Sequence, residues 1–169
     1  MLSFKRVWQS VTEQDRERLR IFYRKEATFD SEIAMESRLG ETVVIAESDG
    51  EIVGISRALP TTNPQILQPL YYLSVFIGKD SRGGAILNTL LRQSTKILND
   101  YAAANDYPCI GILLELFNKY FYAKPKTWRR KGVWKGSQFH YIGKSIRGYD
   151  VRVHYFPDAY LKEPGESHA

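Results

Sequence analysis

The chain has 169 residues, of which 43% are hydrophobic and 13% aromatic, and its formal charge is +5. That is room for one domain, read as residues 1–162 followed by a flexible tail at 163–169, and the composition excludes a disordered or collagen-like chain. A lone cysteine, Cys109, excludes an internal disulfide and a cysteine-rich metal site and fits a reducing, cytoplasmic setting, while no apolar run approaches the ~18 residues of a membrane span.

In chain order, residues 4–8 read as a first strand. Thr12, followed by Glu13, Gln14 and Asp15, opens a helix with a hydroxyl cap and acids at the positive end of the helix dipole. Its apolar stripe is Leu19, Phe22, Tyr23 and Ala27. A second helix spans residues 31–39, stopped by Gly40. Residues 42–47 and 51–59 form an antiparallel hairpin around Asp49-Gly50. The proline-bearing stretch 60–69 reads as a loop leading to a strand at 70–77. From 84 to 104, Leu87, Leu90, Leu91, Leu98 and Tyr101 recur with helical period. The apolar run 109–116 is a strand buried on both faces and parallel to the one before the helix. A short helix at 123–131 and two strands at 137–142 and 149–156 complete the chain.

The segment from Val75 to Asn88 passes from strand through a glycine-rich turn into a helix. Two readings stand side by side there. Gly83 and Gly84 either only permit a tight turn, or they let the backbone approach an anion that the unpaired first amides of the helix and Arg82 would attract. The turn has neither the lysine-hydroxyl ending of a P-loop nor the spaced glycines of a dinucleotide fold.

Together, the order of elements over residues 4–156 and this turn resemble the GNAT superfamily of N-acetyltransferases. The resemblance implies an α/β chain (an α+β mixed sheet flanked by helices) with the acyl-CoA N-acyltransferase fold and acetyl-CoA as co-substrate. Arg82 matches the basic position of the family's Q/R-x-x-G-x-G/A turn, Ala85 and Leu87 stand at its two glycine positions, and Asn88 is the polar residue that follows. Gly78, Gly83 and Gly84 complete the implied cofactor turn. By the same resemblance, the backbone of Phe76, Ile77 and Gly78 pairs with the pantetheine arm. Asn118 either contacts that arm or caps its strand.

Acyl transfer needs a proton acceptor and a proton donor. Counting back from Gly132-Val133, the position at which the family carries a tyrosine acid holds Trp128, which cannot serve. Tyr122 is the substitute acid, with packing as its other reading. For the base, Glu115 lies within an apolar strand, where burial is expected to raise its pKa. Its other reading is a structural carboxylate paired with a cation. His140 is a further titratable candidate.

Residues 119–155 carry ten Lys/Arg and one acid, interleaved with nine aromatics. Lys126, Arg129, Arg130 and Lys131 are the candidate nucleic-acid contacts, set against a solvated basic face. The leading expectation is transfer of acetyl to a primary amine of a small molecule or protein. The alternatives are a GNAT-like enzyme acting on a DNA or tRNA base and a non-catalytic binding module. A homodimer is left open; a membrane partner is not expected.

Overall fold

The computed structural model of the protein describes residues 1–26, 31–64, 66–82, 84–117 and 138–163. The elements are β1 (Leu2–Arg6), α1 (Glu13–Glu26), α2 (Glu32–Leu39), β2 (Thr42–Ser48), β3 (Glu51–Asn63), β4 (Gln68–Ile77), a short 3-10 turn (Lys79–Ser81), α3 (Gly84–Ala104), β5 (Gly111–Leu116), β6 (His140–Lys144) and β7 (Asp150–Tyr155). Backbone hydrogen bonds join the strands as one mixed seven-stranded sheet in the order β1-β2-β3-β4-β5-β7-β6. The chain divides into two compact units, Met1–Leu59 with Ser74–Ile97 and Pro60–Leu73 with Leu98–Ala169.

In the first unit, α1 starts where the sequence places it. Thr12 Oγ1 accepts from the Asp15 N–H (3.2 Å), and Asp15 Oδ2 accepts from both the Thr12 N–H (3.2 Å) and its hydroxyl (2.7 Å). This reciprocal cap satisfies amides that the helix itself cannot. Ser31 caps α2 with a single bond, its hydroxyl accepting from the Ala34 N–H (3.1 Å). The apolar stripe Leu19, Phe22 and Tyr23 closes on Met35, Leu39, Ile45 and Ile55 to form this unit's core. Asp49 and Gly50 take φ of 52° and 86°, the geometry of a two-residue hairpin turn whose twist matches the flanking strands.

β3 is longer than its sequence pattern indicates. It continues through the exposed Pro60 to Asn63 in place of a loop. A proline tolerates a strand position at which no ladder donor is needed, and Thr61 and Thr62 favour extended backbone. The chain reverses only at Asn63, whose Oδ1 accepts from the Ile66 N–H (3.2 Å) and whose carbonyl accepts from the Leu67 N–H (2.8 Å). That side chain makes the turn, so few residues are needed for it.

In the second unit, β5 is flanked on one side by β4, in parallel through Tyr71–Ile112 and Tyr72–Leu113, and on the other by β7 in antiparallel register from Gly111–Tyr155 to Leu116–Asp150. Leu70, Ile110, Leu113, Val151 and Val153 form its core. Residues 111–114 are buried in succession, so both faces of β5 are covered there, which accounts for the unbroken apolar run. The C-terminal stretch is fastened by Gln68, which donates to the Lys162 carbonyl (3.0 Å) and accepts from the Lys162 N–H (2.8 Å).

Candidate functional site: a strand-turn-helix and a buried carboxylate

The candidate cofactor residues of the first unit form one continuous path. Phe76 turns its ring into the core, edge-on to Phe22 at 5.8 Å, so only its backbone is left for a ligand. The Gly78 N–H donates to the Val53 carbonyl on β3 at 3.0 Å. Backbone groups alternate sides along a strand, so the N–H and C=O of Ile77 point away from β3. Of the three residues expected to pair with pantetheine, Gly78 has therefore already committed its donor, and Ile77 has the outward pair.

After Ile77 the chain makes a 3-10 turn closed by the Ser81 N–H on the Gly78 carbonyl (3.0 Å). Glu26, at the end of α1, accepts from the Lys79 N–H at 2.9 Å. Its carboxyl carbon stands 3.3 Å from where a Cβ on Gly78 would be, so this carboxylate fastens the turn to α1. Arg82 is exposed and extended, and α3 begins two residues later. Gly84, Ala85 and Asn88 are exposed, while Leu87, at a position the resemblance assigns to glycine, is half-buried.

The first amides of α3 have no partner within the helix. Unlike α1, with Glu13 and Asp15, and α2, with Glu32, α3 has no acid in its first turn. The positive end of its dipole is thus not met by a carboxylate of its own first turn, and Arg82 adds to the positive potential. Two devices hold the helix in place. Gly54 of β3 admits Ile77 and Ile86, each 3.4 Å from where its Cβ would be. Further along, Ser94 donates to Ser56 across 2.7 Å, with both hydroxyls fully buried.

The candidate base lies in the second unit. The Glu115 side chain is 5% exposed, and its Oε2 accepts from Tyr72 Oη at 3.0 Å and from the Arg147 guanidinium. Oε1 is also buried and makes no hydrogen bond of normal length and angle, although the Ser145 hydroxyl lies near enough to favour the charged form. Burial pushes this carboxyl up, but the nearby Ser145 hydroxyl and the hydrogen bonds from Arg147 and Tyr72 outweigh it, and the net pKa is below the ordinary glutamate value. The expected upward shift is reversed, because the neighbours supply positive charge and donors to the ionised form. Tyr72 feels the opposite effect: burial and the adjacent carboxylate push its phenol up to about 12.

Tyr122, Asn118, Gly83, Lys126, Arg129, Arg130 and Lys131 lie outside the described residues, as does Trp128. His140 is exposed on β6. Cys109 is buried and its thiol is pushed up to about 12 by that burial, which suits packing and not nucleophilic attack. Among the described residues, no group of three or more His, Cys, Asp or Glu is placed to hold a metal ion, and no helix is long and apolar enough to cross a membrane.

Sequence reasoning missed Tyr72, Arg147, Glu26 and the Ser56–Ser94 pair. Each acts through a partner 32 or more residues away, and no local pattern signals such a contact. Gly54 did carry a signal, since an isolated glycine within a strand pattern marks a close approach.

No family model matches the chain, and no curated protein matches it. Solved structures do. The GNAT domain of S. lividans PAT superposes with a TM-score of 0.57 at 15% identity, over 90% of this chain and 89% of that one. The ribosomal-protein-S18-alanine N-acetyltransferase from Escherichia coli gives 0.53 at 13%, over 96% and 97%. N-acetylglutamate synthase from Neisseria gonorrhoeae, solved with coenzyme A and L-arginine, gives 0.55 at 13%, over 92% of this chain and 33% of that one. At such identities the likeness is one of fold, and the protein has the fold of the GNAT acetyltransferases.

Proposed function

We propose that the protein is an acyl-CoA-dependent N-acyltransferase that moves an acetyl group from acetyl-CoA to a primary amine of a small molecule or protein. The observation that carries this reading is the start of α3, which follows β4 through the 3-10 turn with Arg82 exposed beside it and no carboxylate in its own first turn. A pyrophosphate is doubly anionic, and free helix amides with an adjacent guanidinium answer its charge and its acceptor oxygens. Gly84, Ala85 and Asn88 are the exposed residues to receive it, with Gly83 between them and Arg82. The outward N–H and C=O of Ile77 would pair with a pantetheine amide as a strand neighbour does. The coenzyme A held by a solved structure of the same fold supports the choice of donor.

In this reaction the amine nitrogen attacks the thioester carbonyl, the C–S bond breaks, the nitrogen gives up one proton to solvent, and the leaving sulfur takes one from an acid that solvent then reprotonates. Glu115 is the carboxylate proposed to assist the amine. With its pKa held low, it acts by charge on the developing ammonium more than by storing a proton at neutral pH. Tyr122 is the phenol proposed to protonate the thiolate.

Calorimetric titration tests the reading directly. Acetyl-CoA and CoA should both bind saturably, and Arg82→Ala should weaken both while leaving the fold intact by circular dichroism. Absence of binding at millimolar acetyl-CoA would end the proposal.

A further inference from the structure

We propose that Glu115, Phe117 and Tyr149 form a seat for an organic cation, a guanidinium or alkylammonium group, and that Arg147 is its built-in occupant. Three features of the second unit lead there. The anion is buried and the cation is not. Glu115 sits on β5, paired on both edges, with 5% of its side chain exposed, whereas the Arg147 side chain is 58% exposed. Arg147 belongs to the turn between β6 and β7, where the neighbouring Ile146 is fully exposed. That turn is closed by the Gly148 N–H on the Ser145 carbonyl and the Ser145 N–H on the Tyr149 carbonyl, both at 2.8 Å.

The walls of the seat are aromatic. The guanidinium carbon of Arg147 stands 4.9 Å from the centre of the Phe117 ring and 5.9 Å from that of Tyr149, and the two rings meet edge to face at 4.8 Å. Ring faces attract a cation through their quadrupole. The seat is also underfilled. A carboxylate can accept a two-pronged guanidinium on both oxygens, yet Arg147 engages Oε2 while the buried Oε1 makes no bond of normal geometry. A buried acceptor left in this way is costly, and a cation that reached both oxygens would be preferred.

Withdrawal of Arg147 would leave the Glu115 charge without its guanidinium partner, and another cation could take that place. Lys144 is not free to supply it, because its Nζ bonds Asp150 (3.0 Å) and the Gly148 carbonyl (3.2 Å). The site is defined by charge, hydrogen-bond acceptors and aromatic contact, and takes a cation with N–H donors on a slim stem.

The experiment is chemical rescue of Arg147→Ala by methylguanidinium, with no acyl donor present. The variant should melt below the wild type, and methylguanidinium should raise its melting temperature saturably, with a dissociation constant on the order of 1–10 mM. Sodium chloride at equal ionic strength should not do so. Tetramethylammonium, with charge but no donor, should bind about tenfold more weakly. The wild type should respond about tenfold more weakly as well, because its own Arg147 competes intramolecularly. Adding Glu115→Gln to the variant should abolish the response. Should Arg147→Ala fail to fold, Arg147→Gln, which retains the stem over Phe117, is titrated in its place with the same expectations. Equal responses to methylguanidinium and sodium chloride, or an undiminished response in the Glu115→Gln double variant, would overturn the proposal. Neither outcome would bear on acyl-CoA binding, which is measured separately.

Discussion

Replacing Gly54 by alanine and by valine should give different results, near-neutral for the first and damaging for the second, and the contrast tests how α3 is seated. A Cβ at position 54 would lie 3.3 Å from the Phe76 carbonyl oxygen and 3.4 Å from both Ile77 Cγ1 and Ile86 Cγ2. Alanine needs only a few tenths of an ångström from the carbonyl. It also restricts the unfolded chain, worth about 0.4–1 kcal/mol, so the net change should fall within about 1 kcal/mol of zero. Valine adds two more carbons where three neighbours already touch, and overpacking of that kind costs about 1–3 kcal/mol. For a chain of this size each kcal/mol moves the melting temperature by about 2–4 °C. The atoms displaced are the end of β4 and the first turn of α3, which are the groups proposed to receive the cofactor. Acetyl-CoA affinity should therefore fall about tenfold in the valine variant and stay near wild type in the alanine variant, as misplacement of positioning groups is costly. Urea melts and calorimetry measure both quantities. A valine variant as stable as the alanine one and with undiminished affinity would refute the assigned role of Gly54.

Gly111→Ala should be far more damaging, because its Cβ would stand 2.3 Å from the His154 carbonyl oxygen and 3.0 Å from Tyr155 Cα, both backbone atoms of the paired strand β7; a loss of more than about 4 kcal/mol should appear as a collapse in folded yield. Ser56→Ala or Ser94→Ala alone should each cost about 1–3 kcal/mol by orphaning the other buried hydroxyl, and the double variant should cost less than the sum, a coupling that a double-mutant cycle in urea would measure. Glu115 is more acidic in the fold than in the unfolded chain, so its charge contributes stability fully above the model value of 4.5 and loses it as pH falls through the lower folded value. The stability gap between wild type and Glu115→Gln should accordingly be constant near neutrality and narrow below that pH; a gap that widens on acidification would contradict the low pKa.

Elements whose cause is local were legible in the sequence. Thr12 and Ser31 announce the starts of α1 and α2, and the period of Leu87, Leu90, Leu91 and Leu98 marks α3 from Gly84 to Ala104. Asp49-Gly50 specifies its hairpin turn because its two residues must take positive φ, and the apolar run of β5 reflects burial on both faces. The extent of β3 was not legible. Pro60 reads as a breaker on its own, and only the pairing that follows makes it a strand residue.

The strand-turn-helix from Ile77 to Asn88 is likewise a property of the sequence, since strand propensity, turn residues and helix period follow one another along a single stretch of chain. The tertiary structure alone decided which of its groups remain available. Gly78 donates to Val53, Lys79 to Glu26, and Ile77 is left with the outward backbone pair. It also decided the charge state of Glu115. A carboxylate in an apolar strand reads as one with a raised pKa until Tyr72, 43 positions before it, and Arg147, 32 positions after it, arrive at its oxygens. Hydrogen bonding and Coulomb attraction act through space, and their sign depends on which distant residues the fold brings within reach.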